Sequence, residues 1–170
     1  MGLRPGRCTR KIKRPYTRVS KKKSKNYVGA EPPLRIHIFE MGDKKKDFDT
    51  ILHLVGERAV QIRDNALEAS RISANKFLEK KLTPENYFMK ILVFPHQILR
   101  EHTLATGAGA DRFSMGMRKS FGRPKGRAAV VDKNQRIITL RLDKKNLKLG
   151  KTALDRASKK LPTPCRIVIE

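Results

Sequence analysis

Residues 102–127 read HTLATGAGADRFSMGMRKSFGRPKGR, and the reading of this stretch decides how the chain around it is divided. It holds five of the eleven glycines, Gly107, Gly109, Gly116, Gly122 and Gly126. Six cations, Arg112, Arg118, Lys119, Arg123, Lys125 and Arg127, stand against one acid, Asp111. Neither the strand nor the helix period of apolar residues runs through it, so the pattern predicts no regular element. A glycine-rich segment loses much conformational entropy on ordering and has little apolar surface to offset the loss. A loop of this length is uncommon in a compact domain unless it is functional or disordered. Glycine lets backbone approach a partner closely, and arginine offers a planar fork of donors that matches phosphate. The stretch reads as a basic finger shaped by a polyanion; a solvated surface loop is the plainer reading of the same composition. The tip, with Ala105, Thr106, Gly107, Ala108 and Gly109, is small and uncharged, and the returning limb from Arg112 to Arg127 carries the cations.

Working outward, the apolar run from Tyr87 to Phe94, closed by Pro95, predicts a central strand covered on both faces. Residues 62–80 predict a helix with Ile62, Ala66, Ala69, Ser73 and Phe77 on the buried stripe. Asp64, Glu68, Arg71, Asn75 and Glu79 fall on the opposite face, and Thr83-Pro84 ends the helix. Strands are expected at Leu34–Ile38, from its alternation, and at Ile51–Val55. Beyond the finger, Ala128–Val131, a turn at Asp132-Lys133-Asn134 and Ile137–Leu142 predict a hairpin. Thr152–Leu161 predicts a second helix stopped by Pro162, and Cys165–Ile169 a last strand. The expectation is an α+β fold: a mixed, largely antiparallel sheet with two helices and a long protruding Gly/Arg-rich loop. One domain spans residues 27–170, with the finger at 102–127.

Residues 1–26 carry eleven Lys or Arg and no acid: Arg4, Arg7, Arg10, Lys11, Lys13, Arg14, Arg18, Lys21, Lys22, Lys23 and Lys25. With Pro5 and Pro15 and few apolar residues, the segment cannot fold alone. It reads as an arm threading along RNA phosphates, or as a solvated or targeting tail. Tyr16 and Tyr27 are placed either to stack on bases or to pack on the body.

The whole chain of 170 residues carries a formal charge of +24 and a pI near 10.6. Such a balance points to a strongly anionic partner, and nucleic acid is the natural one. No apolar run is long enough to span a membrane, and no basic amphipathic helix or lipid anchor is evident. Cys8 and Cys165 stand far apart without a Cys-x-x-Cys spacing and read as reduced thiols. The histidines are not spaced as metal ligands, so no metal is expected. The finger is no phosphate loop of the nucleotide-binding kind, because Arg118 stands where the pattern needs glycine before Lys119. Position 112 is arginine where a dinucleotide fingerprint needs its third glycine. Ser114 and Ser120 have no evident base. No catalytic residue, cofactor or small-molecule substrate is therefore expected, and the chain does not read as an enzyme.

The residues that carry a family resemblance lie in the finger: Ala110-Asp111-Arg112, Gly116-Met117-Arg118, Ser120-Phe121-Gly122-Arg123-Pro124, Gly126 and Ala129. Together they resemble the signature of the large-subunit ribosomal protein called L-ten-e in archaea and eukaryotes, the counterpart of bacterial L-sixteen. The opening MGLRPGRC and the helix segment EASRISANKF are similar too, so the likeness covers essentially the whole chain. Eukaryotic members carry a further C-terminal extension that finds no counterpart here, so the likeness is to the archaeal type. The resemblance implies a cytoplasmic, structural constituent of the large subunit. It implies binding to ribosomal RNA near the aminoacyl-tRNA site and the central protuberance, with the finger tip towards tRNA and with neighbouring ribosomal proteins. Composition alone leaves a rival, a general RNA chaperone or chromatin-like binder outside the ribosome.

Overall fold

Among the described residues two antiparallel sheets form, rather than the single sheet expected. The computed structural model describes residues 6–11, 22, 24, 28, 30–102, 107–113, 116, 118 and 122–170. Its strands are β1 (Glu40–Gly42), β2 (Thr50–Gly56), β3 (Val60–Arg63), β4 (Tyr87–Ile91), β5 (Gln97–Glu101), β6 (Arg123–Val131), β7 (Arg136–Leu142) and β8 (Cys165–Ile169). The helices are α1 (Asp64–Lys81), α2 (Ala110–Phe113) and α3 (Leu147–Ser158). One sheet has the order β1-β4-β7-β2-β8 and the other β3-β6-β5. Every pairing described is antiparallel. The α+β reading therefore holds.

The division into two sheets has a local cause. β6 and β7 follow one another through a tight turn, yet they do not form the predicted hairpin. β7 pairs with β2, and β6 pairs with β3. The end of β2 and the turn 132–135 run side by side: Gly56 N–H donates to Gln135 O at 3.1 Å, and Asn134 N–H to Gly56 O at 2.8 Å. Asn134, with φ of 63°, takes the left-handed turn position that asparagine tolerates. The paired strands leave one sheet and enter the other as a unit.

The inner face of the five-stranded sheet carries Leu52, Leu54, Met89, Ile138, Leu140 and Leu142, all fully buried. α1 and α3 lie over this face and against each other. α3 starts five residues before the predicted helix because Gly150 belongs inside it. A Cβ there would stand 2.4 Å from Leu142 Cδ2 and 2.7 Å from Leu52 Cδ1. Glycine costs about 1 kcal/mol of helix propensity, and the close approach to the sheet requires it.

α1 is rotated from its predicted face. Asp64, Leu67, Ser70, Ala74 and Leu78 are buried, whereas Ala69 is exposed. Ser70 Oγ donates to Ala157 O of α3 at 3.1 Å, which fixes the crossing through small residues. Ala66 and Phe77 of the predicted stripe pack at the margin of the core, and Arg156 covers Phe77, its guanidinium 4.2 Å from the ring centroid. Asp64, expected to face solvent, accepts from Asn65 N at 2.9 Å and from Arg35 N at 3.1 Å. That bond replaces the ladder predicted for residues 34–38. The segment is an extended connection with Ile36 buried and Ile38 half exposed, and the strand forms later, at β1. The run from Tyr87 is likewise shorter than predicted: β4 ends at Ile91, and Leu92 and Phe94 are 44% and 50% exposed.

Gly6–Thr9 forms a 3-10 turn, after which Arg10 makes a single antiparallel bridge to Val60 on the edge of the three-stranded sheet. Gln61 Nε2 donates to Arg10 O at 2.9 Å. The start of the predicted arm is thus seated on β3, while Tyr16 and Tyr27 lie outside the described residues. Cys8 and Cys165 are free thiols, and burial pushes that of Cys165 up to about 11. Among the described residues no group of His, Cys, Asp and Glu is arranged to hold a metal ion.

Candidate nucleic-acid interface

β5 and β6 flank the glycine-rich stretch, so the last part of its returning limb, Arg123–Arg127, is strand where the sequence predicted loop. The register runs Gln97↔Ala128, Ile98↔Arg127 and Leu99↔Gly126, then shifts to Arg100↔Pro124 and Glu101↔Arg123. The shift leaves Lys125 as the extra residue of a β-bulge, a device that re-aims side chains at sheet margins. Arg123 and Lys125 are both exposed. β3 reaches along β6 only to Ala128, so among the described residues Arg123–Arg127 is paired with β5 on one side alone. Pro124, which has no amide to donate, is tolerated in such a place.

The base is closed by close backbone contact. A Cβ at Gly122 would lie 2.4 Å from the Glu101 carbonyl carbon, 2.6 Å from His102 N and 2.7 Å from Glu101 N. Arg100 Nη1 donates to Gly122 O at 3.1 Å, and His102 Nε2 lies 2.7 Å from Gly116 O, so that nitrogen carries the proton. Gly122→Ala should therefore loosen this end of the hairpin. An overpacked contact costs about 1–3 kcal/mol, and here the colliding atoms are backbone. The amides of Leu99 and Glu101 are expected to exchange about 5- to 150-fold faster, with β2 and β7 unaffected. Unchanged exchange at those amides would show that the close contact does not hold the base.

Past the base the finger is less featureless than its composition suggests. Ala110 N–H donates to Gly107 O at 3.2 Å and Arg112 N–H to Gly109 O at 3.1 Å, which opens the single turn of α2. Gly107, Gly109 and Gly116 have φ of 116°, 77° and 55°, and a Cβ on any of them would meet open space. Their requirement for glycine is conformational, and the surface beside them is free for close approach.

The predicted site residues fall into four groups. Arg10, Lys11, Lys22, Arg112, Arg118, Arg123 and Lys125 are exposed, as are the tip residues Gly107, Ala108 and Gly109. Lys11 Nζ is 3.6 Å from Asp132 Oδ1, an exposed pair of little strength. Arg127, expected among the RNA contacts, is turned to the body: Nη2 pairs with Glu31 Oε2 at 2.6 Å and Nε donates to Pro32 O at 2.8 Å. Its side chain is 17% exposed, and it tethers residues 31–32 to β6. Arg7 lies in the 3-10 turn. Arg4, Lys13, Arg14, Arg18, Lys21, Lys23, Lys25, Lys119, Ala105 and Thr106 lie outside the described residues. Sequence reading missed Arg100 and His102 as ties across the base, since nothing local marks either as facing residues 14 to 22 positions away.

The family described as Ribosomal protein L16p/L10e matches residues 13–168. The chain belongs to this family. It is 46% identical over its full length to a large ribosomal subunit protein uL16 of Archaeoglobus fulgidus, covering 94% of that relative. The protein of the same description from Thermofilum pendens is 47% identical, with 100% of this chain and 98% of the relative aligned. That from Picrophilus torridus is 48% identical, over 99% and 93% of the two chains. These relatives are archaeal, in keeping with the archaeal type of the resemblance. L16p/L10e proteins are structural constituents of the cytoplasmic ribosome, so the chain is a ribosomal protein and not an enzyme. Among the described residues no helix is long and apolar enough to cross a membrane.

Proposed function

We propose that the protein binds large-subunit ribosomal RNA near the aminoacyl-tRNA site and the central protuberance and helps to position tRNA. The observation that supports this most directly is the set of exposed cations at and beyond the β5–β6 base, Arg112, Arg118, Arg123 and Lys125, next to glycines whose Cβ positions are open. Residues 1–26 act as a basic arm along RNA phosphates, anchored to the body through Arg10. Residues 27–170 form the body, with the finger at 102–127. Phosphate contacts fix a protein's position, and structured RNA is recognised mainly through backbone and shape. The cationic limb anchors, and the uncharged tip lies where tRNA passes.

Co-sedimentation tests the reading. The protein should remain with large subunits in near-stoichiometric amount at moderate salt. Spread over many RNAs or DNA would favour a general nucleic-acid binder. Within that frame, deletion of residues 105–109 should leave subunit occupancy near normal but slow tRNA accommodation or a late maturation step. Occupancy and elongation rate on purified ribosomes measure both. Subunits emptied of protein, or elongation at the wild-type rate, would refute the division between limb and tip.

A further inference from the structure

Among the described residues, none of the arm or finger lines the outer face of the five-stranded sheet, opposite the helices. Its side chains follow from the register. One row across the strands is Glu40, Lys90, Thr139, His53 and Val168; the next brings Phe88, Arg141 and Ile51 together. Between them lies a cavity of about 260 Å³. This is below the ~300–1,000 Å³ of usual small-molecule pockets. Its walls combine apolar Ile51, Phe88 and Leu92 with the polar groups of Thr139 and His53. His53 is buried, with Nδ1 3.0 Å from Thr139 Oγ1 and Nε2 3.2 Å from Glu170 Oε2.

The cations at the rim are not equivalent. Lys90 Nζ pairs with Glu40 Oε1 at 2.6 Å, and Arg136 pairs with Glu170. Arg141 is exposed and instead lies over the Phe88 ring, its guanidinium carbon 5.7 Å from the centroid. A guanidinium plane backed by an aromatic ring is a stacking surface for an unpaired base. Its charge also attracts the attached phosphate. A helical RNA backbone would make no use of the apolar walls; a single splayed nucleotide uses both. We infer that this outer face is a second RNA site, which seats one unstacked nucleotide with its base against Arg141 and Leu92 and its phosphate beside Arg141. The inference rests on the RNA-binding reading above and adds a site separate from the finger.

The test compares a single-stranded uridine hexamer with a short RNA duplex, each titrated against the full-length protein. Arg141→Lys keeps the charge and loses the plane; Leu92→Asn removes an apolar wall without adding charge. Both positions are exposed, and thermal unfolding checks that each variant is folded. Each substitution should weaken hexamer binding by about 5- to 150-fold, the range for loss of one base stack, while duplex affinity stays within about twofold. Unchanged hexamer binding in both folded variants would overturn the nucleotide site while leaving the RNA reading intact, provided the duplex still binds. If the variants instead lost a ribosomal protein neighbour with hexamer binding unchanged, the face would be a protein interface and the inference would be wrong. If neither RNA bound the wild-type protein, the RNA reading would fail and this site with it.

Discussion

Raising KCl from roughly 50 to 200 mM is expected to weaken binding to a purified large-subunit RNA fragment by about 10⁴- to 10⁵-fold. The number follows from neutralisation of ~10 phosphates, each releasing condensed counterions, which gives a log–log slope of about −7 to −9. The source of the charge is on the surface. Arg10, Lys11, Lys22, Arg112, Arg118, Arg123 and Lys125 are exposed, and the arm carries further cations in its sequence. Body cations held in ion pairs, such as Arg127 on Glu31 and Arg71 on Glu68, should add little. For Arg71, the hydrogen bonds that it donates to Glu68 hold the guanidinium's pKa above its ordinary value, against the opposing pull of burial. A slope shallower than about −3 would mean that the interface is not a phosphate clamp.

The double substitution Arg118→Ala and Arg123→Ala should lower incorporation into large subunits sharply. A charge-assisted hydrogen bond that is largely desolvated contributes about 1–3 kcal/mol. Two such bonds correspond to roughly 30- to 10⁴-fold in affinity if they act independently. The fold should be unaffected, because both side chains are exposed, and Arg123 is paired through its backbone to Glu101 whatever its side chain. Subunit occupancy by quantitative mass spectrometry, alongside thermal unfolding of the free variant, separates the two effects. Normal occupancy in a folded double variant would exclude these two arginines as anchors. Arg127→Ala offers a contrast: it should loosen residues 31–32 and reduce stability more than RNA affinity, since its donors already have partners in the protein.

Local pattern located β2, β4, β7, β8 and α1 within a few residues, because each has an apolar run bounded by Gly, Pro or charged turns. It did not locate the true face of α1. Ile72 and Phe77 compete with Leu67 and Leu78 for the apolar stripe, and only the position of α3 chooses between them. Arg156 then covers Phe77, and Ile72 is left 37% exposed. The composition of residues 102–127 predicted a loop throughout and did not show where a strand begins within it. Arg123–Arg127 contains Pro, Gly and cations, and it becomes strand because β5 lies alongside it.

By itself, the sequence determined the α+β class, the strongly basic charge of the chain and, through the finger signature, the family. These are properties of composition and of residues near one another in the chain. The tertiary structure alone decided that there are two sheets, that Asp64 takes the Arg35 amide, and that Arg127 holds the body while Arg123 and Lys125 face outward. It also decided that Phe88, Arg141 and Ile51, drawn from three separate strands, share one surface. Each of these depends on which segment lies opposite which. Side-chain fate in a sheet is set by cross-strand register, where a shift of one residue exchanges the two faces, and register between distant segments is fixed only when the core closes.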